Sequence, residues 1–559
     1  MNLKNNRLFL YLFLSFIINL MQAFFSPIIQ DEAYYSFFSN HIGWGFFDSP
    51  PMIAIIIKLS SFFFENELGI RFLTVCVNTI NIYLIWLLIP EKNRIKKYSV
   101  ELFFIILFAL PLLNVYSFIT TPDVPLLFFC TIFLLLIIKI KEKPSLLISI
   151  LLGVTSALII YSKYHGGVFI LICVLSQISI LKKKYIYIAG IIGVILILPH
   201  VYWQYQNDFI SFQYHLLQRN KIGFDPFHIL HGSLSIFGVL NPFLLMILLF
   251  NYRKTSTSFK KRNLFFLKVF LFFTSFFLLY TLRARIEAHW VALASIPLLL
   301  LIHDLTINYD VVKKTVIACF STIGIILIAR ILITLPIEMK SEFHRQGNDY
   351  FNNVISVTKN TPVLYANSYQ KASKHLFYTG NISYSLNNYL WRKNHYDIID
   401  LSKNFHNKSV YIVGNSSKLD TNKYELEKGK FTSIRLIENF QLFSKLESKF
   451  DSNQLLNLTK KGELKFVIEN PYNYSINLND EKLSYKFSIL FLDNMGNKNI
   501  FPINLLNKNI IHQGKNDLLA SYDLKDLPAG EYTFSVLLEA NNLHPQSLGL
   551  KKTIAVVSE

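Results

Sequence analysis

The sequence predicts a polytopic α-helical membrane protein whose C-terminal region, outside the bilayer, is of α/β and then β-sandwich character. Three observations predict it. Apolar residues concentrate before Pro336 in blocks close to the ~20 residues needed to cross a hydrocarbon core. Basic residues collect in every second loop between those blocks. Beyond Pro336 the composition turns to Asn, Lys, Ser and Tyr with alternating, strand-like runs. The expected organisation is a transmembrane domain over 1–336, a mixed α/β domain over 337–430 and a β-sandwich-like domain over 431–559.

Segments able to span run over 8–27, 68–90, 102–118, 124–140, 146–161, 166–181, 185–201, 229–250, 264–282, 288–302 and 315–335. These amount to about eleven crossings. The first has a long apolar core with no small-x-small cleavage site after it, so it reads as a retained anchor rather than a signal peptide. Residues 34–67 are broken by Gly43, Gly45 and Pro50-Pro51. Their aromatics, among them Tyr34, Tyr35, Trp44, Phe46 and Phe47, suit an interfacial segment.

Loop charge then sets the topology. One set of loops holds Lys4 and Arg7, Lys92 to Lys97, Lys139 to Lys143, Lys182 to Lys184, Arg253 to Arg262, and Lys313-Lys314. The positive-inside rule makes these cytoplasmic. The other set holds Asp31-Glu32, Thr121-Pro122-Asp123, the 162–165 loop, the 203–232 loop and the 283–287 loop. All of these then face outward, and an odd number of crossings leaves the tail outside too. The expected location is a bacterial inner membrane, with the C-terminal region extracytoplasmic. The net charge of +19 is explained by this sorting, so nucleic acid is not an expected partner. The four cysteines, Cys76, Cys130, Cys173 and Cys319, all lie in spans. They give neither a disulfide framework nor a metal-ligand spacing.

Asp31 and Glu32 are adjacent carboxylates placed where the first span ends, and burying such a pair is expensive without a cation or a proton-transfer task. Asp31 suits a general base and Glu32 its partner, since a like-charged neighbour raises a carboxylate's pKa toward a useful range. The plain alternative is a solvated turn at a helix end. Asp123, between two prolines before a span, suits either a helix-capping carboxylate or a supporting acid, and the two are compatible.

Lys163 is an outward lysine against the topology bias, which points to an anionic partner; snorkelling is the alternative. Arg219, Arg283 and Arg285 are further outward cations that could line a phosphate site with Lys163. Glu287 reads as neutralising Arg283. Arg71 lies at the outer end of the second span. A hard divalent cation is the cofactor considered, with Glu32 and Asp123 as oxygen ligands. His165, His200 and His289 are the nitrogen candidates.

In the tail, 409–414, 465–469 and 532–538 alternate as strands, and 494–496 and 528–531 carry turn residues. Tyr and Trp there suit either sugar stacking or a core.

The string Asp31-Glu32-Ala33-Tyr34-Tyr35, followed by Gly45-Phe46-Phe47-Asp48-Ser49-Pro50-Pro51, resembles the opening motif of the GT-C class of membrane glycosyltransferases. That class includes the dolichyl-phosphate-mannose protein mannosyltransferases and the lipid A aminoarabinose transferase. Gly69-Ile70-Arg71, Thr121-Pro122-Asp123, Lys163-Tyr164, Trp203 through Arg219, and Glu287 with Trp290 follow in family order. Relatives often have His where this chain has Ser49.

The resemblance implies an inverting enzyme that takes a sugar from a polyprenyl-phosphate carrier and passes it to a lipid, glycan or protein hydroxyl at the outer face of the membrane. It implies Asp31 as catalytic base, Glu32 as its partner and Asp123 as a supporting acid. The substrate would meet Arg71, Lys163, Tyr164, Arg219, Arg283, Arg285 and Glu287, with the charge on the departing phosphate held by Lys163 and Arg219 and by Arg71 or Arg285. The rival expectation is a transporter or flippase of a lipid-linked sugar. Such proteins place polar sites near the midplane in repeated halves, whereas here the polar motifs cluster at one face.

Overall fold

The computed structural model describes residues 3–218, 224–335, 348–399, 401–415, 422–427, 429–451, 455–456, 458–480, 483–493, 497–549 and 553–557. The chain divides into two compact units, Met1–Arg345 and Gln346–Glu559.

The first unit is all helical. Among the described residues, seven helices are long and apolar enough to cross a membrane, or up to eight if one bent pair counts as a span. They are Asn6–Phe25, Glu67–Leu88, Asp123–Glu142, Lys184–Gln206, Thr257–Tyr280, Ala288–Asn308 and Val312–Thr334. The bent pair, Pro226–Val239 and Pro242–Tyr252, turns by 83°. Asn241 sits at the bend with φ 62°, and its side chain caps the second helix by accepting from Phe243 N and Leu244 N. The other expected spans are shorter apolar helices, Ser99–Phe108, Leu146–Ser162 and Gly166–Ser176. Pro111 ends the first of these early, because it can begin a new helix but not continue an old one.

Packing separates central helices from peripheral ones. Ala288–Asn308 is 89% buried and Asp123–Glu142 67%, whereas Lys184–Gln206 and Val312–Thr334 are each 17% buried. The first two build the core and the last two present apolar side chains outward, as a lipid-facing helix does.

Segments from the two sets of loops meet in two polar clusters. Asp304 accepts from Arg262 Nη2 at 2.6 Å and Asn308 Nδ2 at 3.0 Å, and also from Asn93 and Asn263. Lys96 Nζ donates to Asn308 Oδ1 at 2.7 Å. Two of the Lys/Arg-bearing segments, 92–97 and the one that ends at Arg262, thus converge on one buried carboxylate. The second cluster, built from the opposite loops, is the candidate site.

In the second unit a five-stranded sheet has the order Ser383–Leu386, Val363–Ala366, Lys408–Val413, Lys430–Phe440, Lys423–Glu427. Val363 pairs in parallel with both Ser383 and Tyr411, and Val410 lies antiparallel to Ile437. Lys430–Phe440 belongs to this sheet, so the α/β part runs past residue 430. The remaining strands form an eight-stranded antiparallel sheet with a two-stranded ribbon. Its longest pairing sets Gly514–Asp523 against Lys461–Asn470. Alternation along these strands buries Leu464, Phe466, Ile468, Phe491, Phe534 and Val536 in one core. The turn expected at 494–496 lies outside the described residues.

Candidate active site at the end of the helical unit

The site is built on a clamp. Glu32 is in the first turn of the helix Gln30–Ser39, where a carboxylate interacts favourably with the helix dipole. Its Oε2 accepts from Ile29 N at 3.0 Å and its Oε1 from Thr120 N at 2.8 Å. Arg71, on Glu67–Leu88, forks onto both oxygens, Nε to Oε1 at 2.7 Å and Nη2 to Oε2 at 2.5 Å. Its remaining donors reach the carbonyls of Ala23, Ser26 and Pro27 at 3.0, 2.6 and 2.9 Å. Both side chains are 0% exposed. A bidentate, fully hydrogen-bonded pair is the form in which a buried ion pair persists.

The clamp corrects two expectations. Glu32 is not placed as an acid/base partner or a metal ligand, because both its oxygens are committed to Arg71 and to backbone amides. Arg71 is not placed to meet a substrate phosphate, because its fork is spent on Glu32 and on three carbonyls. Together they fasten the end of the first helix to Glu67–Leu88 and to the 120–123 turn. A metal at Glu32 and Asp123 does not fit this donor set. Among the described residues no three His, Cys, Asp or Glu side chains group closely enough to hold an ion.

Asp123 opens the helix Asp123–Glu142 and is 3% exposed. Its Oδ2 accepts from Lys163 Nζ at 2.8 Å. Tyr116 lies within electrostatic reach of Asp123, Tyr35 and Asp31, so the two acids, the lysine and two phenols share one neighbourhood. Asp31, next to the committed Glu32, keeps part of its surface accessible. Thr121 Oγ1 and His165 Nε2 are buried there without a hydrogen-bond partner among the described residues. Burial pushes the His165 imidazole well below its ordinary pKa, Lys163 adds to this, and Asp123 opposes both. His215 and His289 are also electrostatic neighbours of His165.

A second layer fixes the 40–51 loop over this neighbourhood. His200 Nδ1 donates to the Trp44 carbonyl at 2.6 Å, which leaves Nε2 to accept from Tyr164 Oη at 3.2 Å. Gln204 Nε2 donates to Tyr164 Oη at 2.9 Å and to Ser211 Oγ at 2.8 Å. Ser211 Oγ donates to the Phe46 carbonyl at 2.9 Å, and His215 Nε2 to the Asp48 carbonyl at 2.9 Å. Phe46 stacks on Phe38 with centroids 4.3 Å apart. Ser49, where relatives often carry His, is buried, and its carbonyl accepts from Phe46 N at 3.0 Å.

Gly45 lies against the Trp203 indole, and a Cβ there would fall 2.4 Å from Trp203 Cε3. Gly45→Ala is expected to cost about 1–3 kcal/mol through overpacking. Thermal unfolding of the variant checks this, and an unchanged Tm would show that the indole gives way freely.

The other expected residues lie apart or outside the description. Arg219 falls outside the described residues. Arg283 and Arg285 are exposed. The ion pair of Glu287 is with Arg285, Nε to Oε1 at 3.9 Å, not with Arg283 as expected. His289 brings this loop beside His165. Sequence reasoning missed Tyr116, Gln204, Ser211 and His215. His200 and Gln204 are four residues apart, hence on one face of an otherwise apolar helix, and that spacing was a usable signal.

Residues 48–203 match the family described as dolichyl-phosphate-mannose-protein mannosyltransferase. The matched segment contains Arg71, Asp123, Lys163, Tyr164 and His200, and begins after Asp31 and Glu32. The lipid A galacturonosyltransferase RgtD of Rhizobium johnstonii is 23% identical over 229 residues, 39% of this chain and 48% of that protein. The chain thus spans about half the length of the curated relative it matches. Two crystal structures of ArnT from Cupriavidus metallidurans share the fold at 9% identity. The apo form has a TM-score of 0.54 over 78% of this chain and 98% of that one. The form bound to undecaprenyl phosphate has a TM-score of 0.55 over 77% and 98%. The chain thus shares the fold of the ArnT structures, and its residues 48–203 are similar to the dolichyl-phosphate-mannose-protein mannosyltransferase family.

Proposed function

We propose that this protein transfers a sugar from a polyprenyl-phosphate carrier to a hydroxyl of a lipid acceptor, with inversion at the anomeric carbon and at the outer face of a bacterial inner membrane. The observation that carries the reading is the division of labour between adjacent carboxylates. Glu32 is locked by Arg71, while Asp31 is partly accessible in the neighbourhood of Asp123 and Lys163. The complex of ArnT with undecaprenyl phosphate supports the carrier, and the lipid A activity in the name of RgtD supports a lipid acceptor.

In the reaction the acceptor hydroxyl gives its proton to the Asp31 carboxylate as its oxygen bonds to the anomeric carbon. The bond from that carbon to the phosphate oxygen breaks, and polyprenyl phosphate leaves with the electron pair. Lys163, oriented by Asp123, faces the charge that develops on the departing phosphate. No step passes through a metal.

The test is transfer of radiolabelled sugar from undecaprenyl-phosphate donors to lipid A by purified protein in proteoliposomes, with and without chelator. Labelled product is the expected result; movement of the donor across the vesicle without product would favour the transporter. Lys163→Met is expected to lower kcat/KM for the donor by about 10–100-fold, the loss of one charge-assisted hydrogen bond of ~1.5–3 kcal/mol. Steady-state kinetics over a donor series measures it, and an unchanged kcat/KM would remove Lys163 from the phosphate's surroundings.

A further inference from the structure

A buried cation that the reaction does not use lies on the last span. Arg330 belongs to Val312–Thr334 and is only 7% exposed. A charge held inside a membrane helix is costly, and arginine near a helix end usually snorkels to the interface. Arg330 instead turns inward and meets neutral groups. Its Nη2 donates to Asn19 Oδ1 at 2.6 Å and its Nε to Gln22 Oε1 at 3.4 Å. Its guanidinium carbon lies 4.8 Å from the centroid of the Phe118 ring. Among the described residues it has no carboxylate partner.

Two routes lead from these contacts to the clamp. Asn19 Oδ1 also accepts from Ser117 Oγ at 2.8 Å. Ser117 and Phe118 precede Thr120, whose amide holds Glu32 and whose hydroxyl is 2.7 Å from Thr74 Oγ1. Three residues beyond Thr120 comes Asp123. On the other route Gln22 Nε2 donates to Ser26 Oγ at 2.8 Å, and the Ser26 carbonyl accepts from Arg71 Nη1. Beside them a cavity of about 10 Å³, room for roughly one water, is lined by Ser15, Asn19, Asn78, Asn81, Asn114 and Ser117. Asn81 Oδ1 and Asn78 Nδ2 lack partners among the described residues.

We infer that Arg330 is a positioning residue for the reaction. Through the Asn19–Ser117 and Gln22–Ser26 contacts it fixes the 117–122 segment, and with it the carboxylate of Asp123. The catalytic part of this inference rests on the proposed function; the positional part does not.

Arg330→Met and Arg330→Lys test it in the full-length protein by backbone hydrogen exchange and by kinetics. Arg330→Met is expected to speed exchange selectively over 117–122 and to lower kcat about tenfold, with donor KM nearly unchanged, because an ångström-scale misplacement acts on the chemical step. Arg330→Lys, which keeps the charge but not the fork, is expected to restore part of both and serves if the methionine variant does not fold. Exchange over 117–122 that matches wild type, or that rises equally across the whole helical unit, overturns the inference. A wild-type protein without transferase activity would sink the proposed function instead, and the exchange data would still decide the positional claim.

Discussion

Asp31→Asn is expected to lower kcat by about 10²–10⁴-fold, the usual contribution of a general base, while the protein remains folded and inserted. The amide keeps the shape and removes the proton acceptor. Stability should change little, because the interactions that fix this helix start belong to the neighbour, Glu32, with its four hydrogen bonds. Comparing initial rates with thermal unfolding separates the two effects. Residual activity near wild type would take the base role away from Asp31, and Asp123 would then be the acid to test.

Arg71→Leu is expected to be the most destabilising single change in the helical unit, by roughly 3–5 kcal/mol, because it strands an unpaired carboxylate in a dry interior. Glu32→Leu should also destabilise, since Arg71 keeps its three carbonyls but loses its charge partner. The double variant Glu32→Leu with Arg71→Leu should recover much of the loss, since removing both charges removes the stranded one. Chemical or thermal denaturation of the four proteins in one detergent gives the coupling. If the losses simply add, the clamp is not acting as a unit.

Much of the architecture was legible because the bilayer imposes it. A helix must satisfy its own backbone in lipid, so apolar length announces spans, and lysine and arginine announce loop sets. Segments of the two loop sets meet in two clusters, one around Asp304 and one around Asp123. Helix length was less legible. The 102–118 segment reads as continuous, yet it breaks at Leu110-Pro111, and residues 229–250 bend at Asn241. Hydropathy averages across such breaks, whereas one proline or one left-handed residue decides them.

The site was half legible. Asp31, Asp123 and Lys163 stand out as charges beside apolar spans; the structure pairs Lys163 with Asp123 and sets both acids within electrostatic reach of Tyr116. Their partners do not stand out. Glu32 and Asp31 are adjacent and chemically alike in sequence, and only the approach of Arg71, 39 residues on, separates them. Ser211 and His215 look like ordinary interfacial residues until they bond the carbonyls of Phe46 and Asp48, and Tyr116 until it falls within reach of Asp123 and Asp31.

What the sequence by itself determined is a membrane-spanning helical half in which Asp31, Glu32, Asp123 and Lys163 belong to one set of loops, because burying charge and unpaired backbone in hydrocarbon leaves few alternatives. Only the tertiary structure decided which carboxylate is held as a clamp and which stays partly accessible. That choice depends on a guanidinium fork meeting two oxygens at hydrogen-bond distance, a geometry that separation along the chain does not encode.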